Sequence, residues 1–72
     1  MGDAPDDTAA PAHYIEGRQY EPRKVIADWG LNFNAGSVVK YMARYLRKGN
    51  PLKDLRKARQ FLDFEIERLE GE

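Results

Sequence analysis

The sequence predicts an all-α protein, built as a short helix plus a two-helix hairpin with an extended N-terminal arm. Three observations predict it. Apolar residues recur at three- and four-residue spacing through the C-terminal half, at Leu55, Ala58, Leu62, Ile66 and Leu69, the expected core stripe. Pro22 and Pro51 stand where first helical turns are expected, and Gly30 and Gly49 where helices end. No stretch alternates apolar and polar residues in the manner of a strand.

The elements follow in order. Residues 1–12 are rich in Ala, Asp and Pro without periodicity and read as a disordered acidic tail. Residues 13–70 form a single small helical domain. Within it, residues 13–21 read as an extended arm whose Tyr14 and Tyr20 can pack on helices. Residues 22–29 form a first short helix, with Val25, Ile26 and Trp29 on one face and Gly30 as its stop. Asn34 is the expected N-cap of a second helix over residues 35–48. Its apolar side holds Ala35, Val38, Val39, Met42, Tyr45 and Leu46, against a basic side of Lys40, Arg44, Arg47 and Lys48. Asn50 caps the third helix, which starts at Pro51 and runs to about Leu69. Phe61 falls to one side of its apolar stripe and Phe64 opposite. Two such rings call for cover by the arm or by another subunit, so a homo-oligomer is expected.

Composition narrows the function. The chain has 72 residues, no cysteine and a single His, which excludes disulfides, thiolate metal sites and a His-rich zinc site. No apolar run approaches the roughly 20 residues of a membrane span. The acidic start lacks the basic-then-apolar pattern of a secretory signal, so the expected location is the cytoplasm, with no membrane partner. Lys+Arg and Asp+Glu are 12 each, yet they are unevenly spread. Residues 34–60 carry eight bases against Asp54 alone, and residues 61–72 carry five acids against Arg68 alone. A local excess of that size attracts phosphates even on a neutral chain.

The motifs exclude several chemistries. G-x-x-x-x-G-K-[ST], G-x-G-x-x-G and H-E-x-x-H are all absent, and Ser37 has no base near it in sequence. The basic helix face is the best candidate site. Lys40 and Arg44 are i, i+4 neighbours, and Tyr41 beside them can stack on a base or hydrogen-bond a phosphate. The Lys48-Gly49-Asn50-Pro51 turn opens a helix N-terminus, where anions are favoured. Asp54 can hold Mg²⁺ or activate a hydroxyl, or act simply as a favourable first-turn charge. His13 can serve as a general acid or a phosphate contact, or as a turn residue. Asp63, Glu65, Glu67 and Glu70 read as a solvated acidic face.

Several short strings also line up. His13-Tyr14 is followed by Glu21-Pro22, Val25-Ile26, Trp29-Gly30-Leu31-Asn32-Phe33, Gly36, Lys40-Tyr41 with Arg44, and a Lys48-Gly49 turn before Asp54-Leu55, Lys57-Ala58 and Leu62. Over about residues 11 to 69 this resembles the small phage family catalogued as domain of unknown function 3310. Members are often labelled phage nucleotide kinases that work without a P-loop. The resemblance implies a phage-encoded nucleotide-binding protein acting in the host cytoplasm. It implies Lys40, Arg44 and Lys57 on the phosphates and Tyr41 on the base. Tyr14 and Gly36 complete the binding set, Asp54 and His13 stand as catalytic residues, and Mg²⁺ accompanies the nucleotide. Phe61 departs from the pattern, standing where the family often has Tyr or Trp.

Two other readings stay open. One is a non-catalytic interaction module that blocks a host protein or sequesters a nucleotide. The other is a nucleic-acid-binding accessory protein, whose +7 segment with Tyr41 and Tyr45 tracks a phosphate backbone.

Overall fold

The computed structural model describes residues 18–72, so the acidic tail, His13 and Tyr14 lie outside the described residues. Three helices form among the described residues: α1 (Pro22–Asp28), α2 (Phe33–Arg44) and α3 (Pro51–Glu70). No strand occurs among the described residues, and the all-α class read from the sequence holds. The hairpin is α2 against α3, and α1 packs more lightly on α2.

Local chemistry sets the helix ends. α1 opens on Pro22, whose missing N–H would be unpaired there in any case. It closes on Gly30, at φ 66°, where a side chain would be strained. The Gly30 N–H donates to the Ala27 carbonyl (3.2 Å) and the Leu31 N–H to that of Ile26 (3.1 Å). α2 begins earlier than its sequence predicts, because Asn32 and not Asn34 is its cap. The Asn32 Oδ1 accepts the Ala35 N–H at 2.9 Å. α2 also ends earlier, at Arg44. Beyond it the N–H groups of Arg47 and Lys48 both turn back to the Arg44 carbonyl, at 2.9 and 3.0 Å. Asn50 caps α3 as expected, its Oδ1 taking the Lys53 N–H at 3.1 Å, with Pro51 next.

The hairpin closes along one line of α3: Asp54, Ala58, Phe61 and Glu65. Their spacing of four, three and four residues keeps them on a single face. Phe61, expected to lie to one side, therefore sits in the contact. It stacks on Tyr41 (centroids 6.0 Å, planes 15° apart) and takes Phe33 and Phe64 edge-on at 5.6 and 5.8 Å. Of the core stripe read from the sequence, Ala58 lies in this seam and is buried, whereas Leu62, Ile66 and Leu69 are exposed, because the seam runs along the adjacent line of α3. Among the described residues the buried positions are Pro22, Gly36, Ser37, Asp54 and Ala58. Gly36 faces α1. A Cβ there would come within 3.0 Å of the Ile26 Cγ2, so the glycine lets α1 approach.

Glu65 clasps the open end of the hairpin, although the sequence reads it as part of a solvated face. Its carboxylate accepts from the side-chain amides of Asn32 (2.8 Å) and Asn34 (3.2 Å) on the α2 side. It also accepts from Arg68 through Nε (3.1 Å) and a terminal guanidinium nitrogen (2.8 Å). Arg68 first, then Asn32 and Asn34, lower its pKa from the ordinary 4.5 to about 2.

Two outcomes follow from these contacts. Asn32→Ala removes both a cap and a clasp contact and should cost about 1–2 kcal/mol. Asn34→Ala removes one hydrogen bond and should cost less, about 0.5–1 kcal/mol, in urea unfolding. If Asn34 were the cap, that order would reverse. For Glu65 the folded state favours the ionised form. Its contribution is therefore fully present above the ordinary carboxylate range and is lost as pH falls through 4.5 towards about 2. Urea midpoints of the wild type and Glu65→Gln should differ at pH 6 and converge near pH 2.

Candidate phosphate-binding cleft

The closed end of the hairpin forms an open cleft of about 390 Å³. Tyr41 and Arg44 reach it from α2, Lys48, Gly49 and Asn50 from the turn, and Lys53, Asp54 and Lys57 from α3. The sequence builds it from three local features. Arg44 is the last residue of α2, the Asn50-Pro51 pair starts α3, and Lys53, Asp54 and Lys57 occupy the first two turns of α3. Four cations face one carboxylate, a formal excess of +3. A shallower depression beside it shares Asn50, Lys53 and Lys57 and adds Arg56, which extends the cationic surface along α3.

The electrostatic centre is Arg44 with Asp54. The Arg44 Nε lies 3.3 Å from the Asp54 Oδ2, with side chains 31% and 7% exposed. The approach is an ion pair without hydrogen-bond alignment, so both of these buried atoms lack a hydrogen-bond partner. Arg44 also lies over the Tyr41 ring, 5.8 Å from its centroid, and that ring is stacked on Phe61. Phe61, Tyr41, Arg44 and Asp54 thus form one continuous chain of contacts from the aromatic cluster into the cleft.

The structure brings together Tyr41, Arg44, Asp54 and Lys57 of the residues expected at the site. Lys40 is exposed on α2 and lies outside the cleft lining. Gly36 serves the α1 contact instead. His13 and Tyr14 lie outside the described residues. Lys48 enters the cleft with the turn that the sequence marks as favourable for anions, and Lys53 is a cleft residue outside the expected set. The signal for them was the Lys48–Pro51 turn and the cap that follows it.

The donor set does not fit a protein-held Mg²⁺. That ion takes oxygen ligands in near-octahedral array. The cleft offers one carboxylate, already paired with Arg44 and flanked by lysines. Among the described residues no group of three or more His, Asp or Glu side chains is placed to hold a metal.

Fold and cleft together define a small all-α helical-hairpin protein with a cationic pocket at its closed end. The chain belongs to the family described as protein of unknown function (DUF3310), whose model matches residues 8–63. No curated protein and no solved structure matches it. No helix among the described residues is long and apolar enough to cross a membrane.

Asp54→Ala leaves Arg44 half-buried beside three lysines and should destabilise the fold by about 1–3 kcal/mol. The double variant Arg44→Met/Asp54→Leu removes both charges and should recover most of that loss. Thermal unfolding of the three proteins checks the comparison.

Proposed function

We propose that this protein binds a nucleoside phosphate, with the phosphate in the cleft at the closed end of the hairpin. The observation that supports this reading is the convergence of Arg44, Lys48, Lys53 and Lys57 on one cavity beside the N-terminus of α3. A guanidinium grips phosphate oxygens through paired N–H groups, and ammonium groups add point charges. A monophosphate near −2 matches the local excess of +3. Asp54 acts as a positioning residue for Arg44 rather than as a base, because its carboxylate is buried against that guanidinium.

The base has a platform nearby. Lys57, Phe61 and Phe64 follow at i, i+4 and i+7 and share one face of α3. Lys57 and Phe64 are about 10 Å apart along the axis, close to the span from phosphate to base. Phe64 and Phe33 are exposed, whereas the Tyr41 ring is engaged by Phe61 and Arg44. The base role expected of Tyr41 therefore passes to the exposed rings beside Phe61. Any Mg²⁺ is carried by the nucleotide's own phosphates. A phage-encoded protein of this kind would hold or sequester a host nucleotide. Phosphoryl transfer of the nucleotide-kinase type would need a base other than a paired Asp54.

Calorimetric titration with a nucleotide panel, with and without Mg²⁺ and at two salt concentrations, tests the proposal. Saturable binding of a nucleotide is expected. Lys53→Ala/Lys57→Ala should weaken it about 100-fold or more, two charge-assisted contacts being lost. Phe64→Ala should weaken nucleotide binding and leave inorganic phosphate binding unchanged. A folded double-lysine variant with wild-type affinity would sink the assignment. Tight oligonucleotide binding with a steep salt dependence would favour the nucleic-acid reading instead.

A further inference from the structure

The face of the hairpin that turns away from the cationic side is apolar and open. On α2 the direction towards α3 is set by Asn34, Ser37, Tyr41 and Arg44, and on α3 the direction towards α2 by Asp54, Ala58, Phe61 and Glu65. At 100° per residue, Val38 and Met42 lie roughly 90° round α2 from that direction. Leu55, Leu62, Ile66 and Leu69 lie roughly 90° round α3. The two helices run antiparallel, so both rotations lead to the same side of the hairpin. Lys53, Lys57 and Phe64 lie on the other side. The result is a single apolar face two helices wide, with Met42 47%, Leu62 50%, Ile66 46% and Leu69 55% exposed.

We propose that a second copy of this chain covers this face, with α3 packed antiparallel on its own copy about a twofold axis near Leu62. Three features select that occupant. First, the described residues do not finish a core: among them Ala58 is the buried hydrophobic residue, and no large side chain is fully buried. The exposed apolar area of the face is on the order of several hundred Å², the size of the largest patches that monomers leave open and that often serve as interaction sites. Second, Leu55, Leu62 and Leu69 are spaced by seven, which keeps one seam along α3. An antiparallel copy centred on Leu62 sets Leu55 against the partner's Leu69 and repeats the contact in reverse, as a twofold interface requires. Two hairpins joined this way make a four-helix arrangement.

Third, the charges at the outer rim of the seam are self-complementary. Arg56 and Arg59 lie in its N-terminal half, Glu67 and Glu70 in its C-terminal half. Arg56 and Glu70 stand seven residues either side of Asp63, and Arg59 and Glu67 four either side. An antiparallel copy therefore brings each base towards an acid, while a parallel copy opposes like charges. Asp63, at the centre of the rim, has Arg59 one turn away on its own helix. All four rim side chains are exposed, and none has an ion-pair partner among the described residues. The phosphate cleft lies on the other side, so occupation of this face leaves it open. The dimer does not rest on nucleotide binding.

Analytical ultracentrifugation of the full chain over about 1–200 μM tests the proposal, with circular dichroism as the check on folding. The wild type should sediment as a dimer. Glu67→Arg/Glu70→Arg and Arg56→Glu/Arg59→Glu should each weaken dimerisation about tenfold or more, and an equimolar mixture of the two should restore it as a heterodimer. Leu62→Lys, at a position already half exposed, should give a folded monomer. A wild-type monomer throughout the range overturns the proposal. So does an association that the charge-swapped variants keep, or one that their mixture fails to restore.

Discussion

Everything in this small fold depends on which line of α3 faces α2. That line is Asp54, Ala58, Phe61 and Glu65, small or aromatic in the middle and carboxylate at each end. Ala58 and the buried Ser37 are small side chains in the contact between the two helices. Phe61 then meets α2 through the rings of Tyr41 and Phe33. The carboxylates fix the register. A slip of one turn would separate Asp54 from Arg44 and Glu65 from Asn32 and Asn34, leaving charges without partners. An apolar seam alone would tolerate that slip, whereas a buried or half-buried unpaired charge does not.

This arrangement explains what the sequence disclosed. The helices were legible because their ends are written locally: Pro22, Gly30, Asn50 and Pro51 each act on neighbours a few residues away. Asn32 and Asn34 are equally good caps by type, and their division of labour depends on Glu65, more than thirty residues on. Periodicity reads Leu55, Ala58, Leu62, Ile66 and Leu69 as the core stripe, yet of these Ala58 alone is buried. It could not decide that the inner face was the adjacent one, since polar Asp54 and Glu65 flank that seam and resemble solvent-facing residues. Phe61 looked misplaced for the same reason. Glu65 passed as one acid among several because its partners come from another helix.

The cleft was partly legible for a different reason. Tyr41, Arg44, Asp54 and Lys57 were picked out by the order of short motifs, and the hairpin turn folds them together. Lys40 shares their chemistry but is one residue out of phase with Tyr41, and on a helix that is about 100° of rotation. Gly36 belongs to the same motif run for a steric reason, since it leaves room for Ile26. A motif read as a binding set thus mixes cleft residues with residues that hold the helices. Only the three-dimensional phase separates them.

The position of Asp54 also bears on the cleft. Arg44, Lys48, Lys53 and Lys57 gathered at one turn repel each other, and Asp54 offsets part of that repulsion at the most enclosed cation. It does so imperfectly, since the Arg44 Nε and the Asp54 Oδ2 approach at 3.3 Å without a hydrogen bond. An anion entering the cleft would relieve the remaining repulsion and offer an acceptor to the Arg44 Nε–H, which lacks a hydrogen-bond partner. Ligand binding and stability of the closed end are then linked by mass action. The Glu65 clasp, at the opposite end of the hairpin, stays independent of that charge. On the proposed reading, the hairpin is pinned at its open end by the Glu65 clasp, and an anion would act at its closed end, where the cations gather.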